Sequence, residues 1–269
     1  MKGCLITFEG TEGSGKTVAS TRLQKWLESR KYKVTWTREP TNSRIGLLIE
    51  EILERKVKVA EEAIPLLFAA DRADHTQREI IPAIKKGHIV VCDRYIHSSL
   101  AYQRGGMKRN FGREWLEEIN RYSIKPDLIF FLDIDPEEGL RRIGNGQRIQ
   151  DDKFFENLEM QKLIRDSYYD VLNLNRPLVS FFRKENLLAS FGSKLKALST
   201  VDNVTIVSVD ASLPQDEVQS IIQEVVRKFL RLREMHKKRK PLESREILSI
   251  LSNTNFYVEH QTEEMIPHA

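Results

Sequence analysis

Residues 10–17 read Gly10-Thr11-Glu12-Gly13-Ser14-Gly15-Lys16-Thr17 and fit the pattern G-x-x-x-x-G-K-[ST]. Glycines here let successive backbone N–H groups converge on phosphate oxygens with no Cβ in the way. A helix opening near Lys16 adds its positive dipole end. Lys16 then bridges the β- and γ-phosphates of a nucleoside triphosphate, and the Thr17 hydroxyl binds Mg²⁺. An apolar run precedes the motif and a helical pattern follows it, which sets it apart from an ordinary glycine-rich turn. The loop predicts ATP·Mg²⁺ binding but does not by itself name a reaction. Glu12 is unexpected inside it, because an acid repels phosphates unless it points elsewhere. It is either an exposed loop carboxylate or an acceptor for a hydroxyl of a second substrate.

Other charged residues stand where apolar runs end. Residues 88–92 lead into Asp93-Arg94-Tyr95, and ligands of open parallel sheets bind at the carboxyl ends of strands. Asp93 can orient Mg²⁺ or its waters, and Arg94 can grip a phosphate bidentately; a structural ion pair is the alternative. Arg38-Glu39-Pro40 ends a second run in the same way, or else forms a solvated turn. Phe68 and Arg72 are four residues apart and share a helix face. They either sandwich and hydrogen-bond a nucleobase or are a core aromatic and a surface arginine. Residues 141–156 (RRIGNGQRIQDDKFFE) read as a basic loop able to close over phosphates, with a bare solvated turn as the alternative.

These residues need a frame. Short apolar runs at 4–8, 33–37, 88–92, 128–132 and 204–209 read as buried parallel strands. Helical patterns lie between and after them, at 17–30, 45–55 and 214–233. The alternation predicts an α/β doubly wound, five-stranded parallel sheet with right-handed crossovers. Residues 180–200 do not fit it and read as an insertion. Residues 241–269 read as an appended tail, in which 244–252 is expected to form a docking helix; a disordered terminus is the alternative.

The chain has 269 residues, 40% of them hydrophobic and 30% charged, which excludes a disordered or collagen-like protein. No apolar run approaches the roughly 18 residues of a membrane span, and no signal peptide is expected. Cys4 and Cys92 lie in apolar runs and read as buried reduced thiols of a cytoplasmic protein. The net charge is +4, but residues 227–240 alone hold eight Lys or Arg and one Glu. The basic character therefore belongs to one helix end, and nucleic acid is not the expected partner. A nucleotide-binding regulator with a basic nucleic-acid-binding helix is the reading from another functional class.

Taken together, FEGTEGSGKT at 8–17, TREP at 37–40, LLFAADRADH at 66–75, DRYIHSSLAYQ at 93–103, KPDLIFFLDIDPEEGLRRI at 125–143 and TIVSVDAS at 205–212 resemble the thymidylate kinase family of P-loop nucleoside monophosphate kinases. The resemblance implies transfer of phosphate from ATP to dTMP, giving dTDP for dTTP synthesis. It implies a P-loop domain over 1–240, with a lid at about 141–156, and a homodimer. Phe68 looks like the ring that stacks on thymine, and Arg72 like the guanidinium that bonds the base. Arg38 and Arg94 resemble the ligands of the dTMP phosphate, and Glu12 the acid that contacts the sugar 3′-hydroxyl. Ser98, Ser99, Tyr102 and Gln103 fall where the family contacts base and deoxyribose. With no Arg in the phosphate loop, Arg142 and Arg148 become the lid cations, and Asp210 and Ala211 resemble the adenine-side loop. The sequence also departs from the family. Thr41-Asn42-Ser43-Arg44 replaces a common glycine pair, which makes Arg44 a rival of Arg38, and Glu50 stands where an Arg is common. Another nucleoside or nucleotide kinase of different base specificity is the rival enzyme.

Overall fold

A computed structural model describes residues 3–107, 111–144, 157–174, 195–201 and 204–235. Arg148, most of the insertion and the whole tail, including 244–252, lie outside the described residues. The first strand, β1 (Cys4–Glu9), leads through the phosphate loop into α1 (Lys16–Ser29). Then come β2 (Val34–Arg38), α2 (Arg44–Leu53) and α3 (Ala63–His75). A π-helical turn, Thr76–Ile80, joins α3 to α4 (Ile81–Lys85). β3 (Ile89–Asp93), α5 (Ile96–Gly105), α6 (Arg113–Ile119) and β4 (Leu128–Asp133) follow. Next are α7 (Pro136–Gly144), α8 (Leu158–Val171), β5 (Leu195–Val201), β6 (Val204–Asp210) and α9 (Gln215–Met235).

The sheet order is β2-β3-β1-β4-β6-β5, and β2, β3, β1, β4 and β6 are all parallel. The expected five-stranded parallel sheet is therefore present, with helices on both faces. One expectation is corrected. Residues 195–200, the end of the segment read as an insertion, belong to β5, which extends the sheet antiparallel to β6, with Val201 opposite Val204. Only Asp202 and Asn203 separate the two strands, residue types that suit a tight hairpin.

Alternation along the strands divides the core. Phe8, Phe130 and Leu132 face α1 and α9, where Leu23, Leu27, Ile222 and Phe229 are buried. Ile129 and Phe131 face the other layer, with Ile164 and Tyr168 of α8. Each such buried side chain contributes about 1.5–3 kcal/mol. A core on both faces holds the carboxyl ends of β1, β2 and β3 side by side, and the charged residues sit there. α7 reaches the same end. A Cβ on Gly13 would lie 1.9 Å from the Gly139 carbonyl oxygen, so both glycines are needed for that contact. Gly13 also has φ of 72°, a left-handed conformation natural to glycine.

Candidate active site

The phosphate loop is built around its lysine. Lys16 is buried, and its Nζ donates to the Thr11 carbonyl at 2.6 Å and to Ser14 Oγ at 3.2 Å. Burial, and then the charge of Arg94, lower its pKa to about 8. An anion on the loop would restore the charge that burial opposes.

Thr17 Oγ1 donates to Asp93 Oδ2 at 2.5 Å, which joins the loop to the end of β3. The second carboxylate oxygen, Asp93 Oδ1, is buried without a hydrogen-bond partner among the described residues. A hydroxyl and a spare buried carboxylate oxygen are hard donors that suit Mg²⁺. Among the described residues no group of three or more His, Cys, Asp or Glu side chains is placed to hold a metal alone.

Beside them lies Arg94, with φ of 66°, an uncommon conformation for a residue other than glycine. Its Nη2 donates to Glu12 Oε1 at 2.5 Å, and its guanidinium lies 4.9 Å from the centre of the Tyr102 ring. Tyr102 Oη donates to the same Glu12 oxygen at 2.9 Å. Burial opposes the charge on Arg94, but Glu12, Tyr102, Tyr168 and Asp93 together outweigh it and the pKa is held well above its usual value. Glu12 is thus no stray loop carboxylate. It points away from the phosphate cradle, towards Arg94 and Tyr102. Its backbone N–H is held by Gln161 Oε1 of α8 at 2.9 Å.

An open cleft joins these groups; Lys16, Thr17, Arg38, Glu50, Asp93 and Arg94 are among the residues that line it. Arg38 is half exposed there, and Arg44 is not among the lining residues. Phe68 is half-buried against the core on the α5 side. Arg72 is fully buried, so the surface-arginine alternative is overturned. Its Nε donates to Glu39 Oε2 at 2.7 Å, Nη1 to Asn120 Oδ1 at 2.5 Å and Nη2 to Ser99 Oγ at 2.9 Å. Glu39 also meets His75 Nδ1 at 3.0 Å. Gln103 is buried, and both atoms of its amide are unpartnered among the described residues.

Glu9 had no place in the sequence reading. It ends β1 in full burial and takes hydrogen bonds from Ser98 Oγ at 2.6 Å, the Tyr95 N–H at 3.1 Å and Tyr168 Oη at 3.3 Å. Burial pushes its pKa up to about 7. The neighbouring His97 is driven down to about 3, by burial first and then by Arg72 and Arg113. An acid closing an apolar strand just before the loop was the available signal for Glu9. Nothing local pointed to Asn120, Gln161 or Tyr168, which come from distant helices.

On the far side of the loop, Arg142 Nη1 donates to the Ala211 carbonyl at 2.8 Å, Nη2 to the Ser212 carbonyl at 3.3 Å and Nε to Glu138 at 2.9 Å. Asp210 accepts from Ser212, which shapes the loop after β6. Arg142 therefore ties α7 to that loop.

The model of the family described as thymidylate kinase matches residues 8–182. The chain belongs to the thymidylate kinase family. A probable thymidylate kinase of Pyrococcus horikoshii is 43% identical over 174 residues, 62% of this chain and 82% of that one. The thymidylate kinase of Clostridium novyi is 38% identical over 199 residues, 68% of this chain and 96% of that one. A probable thymidylate kinase of Methanocaldococcus jannaschii is 41% identical over 167 residues. The motifs read between residues 8 and 143 lie within the matched segment, and the cleft they line is the candidate active site.

Proposed function

We propose that the protein transfers the γ-phosphoryl group of ATP to the phosphate of dTMP, giving ADP and dTDP. The carrying observation is the junction of two half-sites. The buried Lys16 serves the donor, and Arg94, tied to Glu12 and Tyr102, serves the acceptor. Lys16 neutralises charge on the β- and γ-phosphates. Mg²⁺, which Thr17 and Asp93 would hold, supplies further charge neutralisation to the triphosphate. Arg94 and Arg38 hold the acceptor phosphate, and Phe68, Arg72 and Gln103 meet the base. The two orphaned ends of the Gln103 amide support this, because a base edge offers both a donor and an acceptor. Glu12 and Tyr102 take the deoxyribose side, with Ser98 and Ser99 behind them.

An oxygen of the dTMP phosphate attacks the γ-phosphorus in line. A bond forms to that oxygen, and the bond to the β–γ bridging oxygen breaks with ADP leaving. The attacking phosphate is already largely ionised at neutral pH, so no general base is required. Arg142, fastened to the carbonyls of residues 211 and 212, is placed to position the adenine-side loop, and Arg148 then becomes the lid cation.

Exposed Leu47 on α2 and Leu66 on α3, two helices that pack together, support a homodimer. Two buried free thiols, Cys4 and Cys92, are in keeping with a reducing, cytoplasmic setting. Chromatography of a reaction containing ATP, Mg²⁺ and dTMP tests the proposal: dTDP accumulates in step with ADP. ADP formation with no dTDP would overturn it.

A further inference from the structure

We propose that Glu50 sets the affinity for the acceptor nucleotide by competing with the acceptor phosphate for Arg38. This rests on the placement of that phosphate at Arg38 and Arg94 given above.

Three cations line the cleft, Lys16, Arg38 and Arg94, together with five acids. Four of the acids are engaged away from Arg38. Glu12 binds Arg94 and Tyr102, and Glu39 is turned to Arg72 and His75. Asp93 binds Thr17, and Glu54 meets Lys56 at 2.6 Å. Glu50 faces Arg38, with Oε1 3.7 Å from Nη2. Among the described residues that guanidinium also donates to Asn42 Oδ1 at 3.4 Å. Neither contact is tight, so Arg38 is attended but not locked.

The frame keeps Glu50 in place. Asp71 accepts from the Thr41 N–H, Thr41 Oγ1 and Ser43 Oγ, which fixes the segment between β2 and α2. Ser43 caps α2 by accepting from the Gly46 N–H. Ile49 and Ile52 are buried, which leaves Glu50 on the cleft side of the helix. A phosphate dianion arriving at Arg38 therefore meets a carboxylate already there. It must take over the guanidinium, and it remains close to a like charge. Arg38 and Glu50 are 46% and 36% exposed, so solvent screens the pair and the phosphate can displace it.

The test is steady-state kinetics of Glu50→Gln, which keeps length and polarity and removes the charge. The KM for dTMP should fall by about 2- to 5-fold, the range that exposed ion pairs support. The KM for ATP should stay unchanged. Glu50→Lys should lower the KM for dTMP further. Arg38→Ala should raise it, and adding Glu50→Gln to Arg38→Ala should have no further effect. A KM for dTMP that is unchanged or higher in Glu50→Gln overturns the proposal; a raised KM in Arg94→Ala would then leave the acceptor site standing. An unchanged KM in Arg38→Ala overturns both the proposal and the placement of the phosphate at Arg38. A shift confined to kcat, or equal for ATP and dTMP, also overturns the proposal.

Discussion

Glu12 of the phosphate loop and Arg94 at the end of β3 share a 2.5 Å hydrogen bond between Oε1 and Nη2. One partner belongs to the loop that would hold the donor, the other to the strand end that would hold the acceptor. Removing Arg94 leaves the partly buried Glu12 carboxylate without its arginine and, on the proposed placement, takes away the acceptor cation. Arg94→Ala is expected to raise the KM for dTMP by about 10²-fold, as for truncation of a buried charge pair. ATP affinity, measured by calorimetry, should change little. An equal loss on the ATP side would show that the two substrates are placed the wrong way round.

On the proposed placement the donor side depends on the charge of Lys16, the lysine buried in the loop. Lys16→Ala should cut kcat by on the order of 10²-fold or more, as for loss of a preorganised charge at the transferring group. Its circular dichroism and melting temperature should stay close to those of the parent. Near-normal turnover in a folded variant would remove Lys16 from the mechanism.

Arg142 and Arg148 separate by what their alanine variants change. Arg142 holds carbonyls of the loop after β6, so its loss should chiefly raise the KM for ATP. Loss of Arg148 should lower kcat by on the order of 10³-fold, with little change in either KM. If Arg142→Ala gives the kcat effect and Arg148→Ala none, the two roles are reversed.

How much of this was legible depended on the distance over which each interaction is specified. The phosphate loop, the Asp93-Arg94 strand end and the five parallel strands announce themselves in contiguous residues. Burial of Arg72 does not, because its partners Glu39, Ser99 and Asn120 come from three other segments. β5 was missed for a different reason. Its pairing depends on a two-residue link to β6, and the run at 195–201 shows no strong apolar pattern of its own. Glu50 was visible as a departure from the family, but only the geometry of α2 brings it opposite Arg38.

Glu9 gives a stability prediction with a definite sign. Its carboxyl is raised from 4.5 to about 7 by burial, so the folded protein binds a proton that the unfolded chain releases. The stabilisation is full below about pH 4.5 and is lost as pH rises through about 7. Glu9→Gln mimics the protonated carboxyl, since its amide can still accept from the Tyr95 N–H and can donate to Ser98 or Tyr168. Melting temperatures across this window should fall less with pH in Glu9→Gln than in the parent. Parallel curves would mean that Glu9 does not titrate there.

Phosphotransfer to dTMP is tested most directly by a coupled ADP-release assay with ATP and Mg²⁺ over dTMP, dUMP, dGMP and thymidine. The proposed placement predicts that dTMP gives the highest kcat/KM, because in it Phe68, Arg72 and Gln103 would take a thymine and Arg94 a phosphate. Turnover of thymidine or dGMP in preference to dTMP, or no acceptor-dependent ADP release at all, would contradict it.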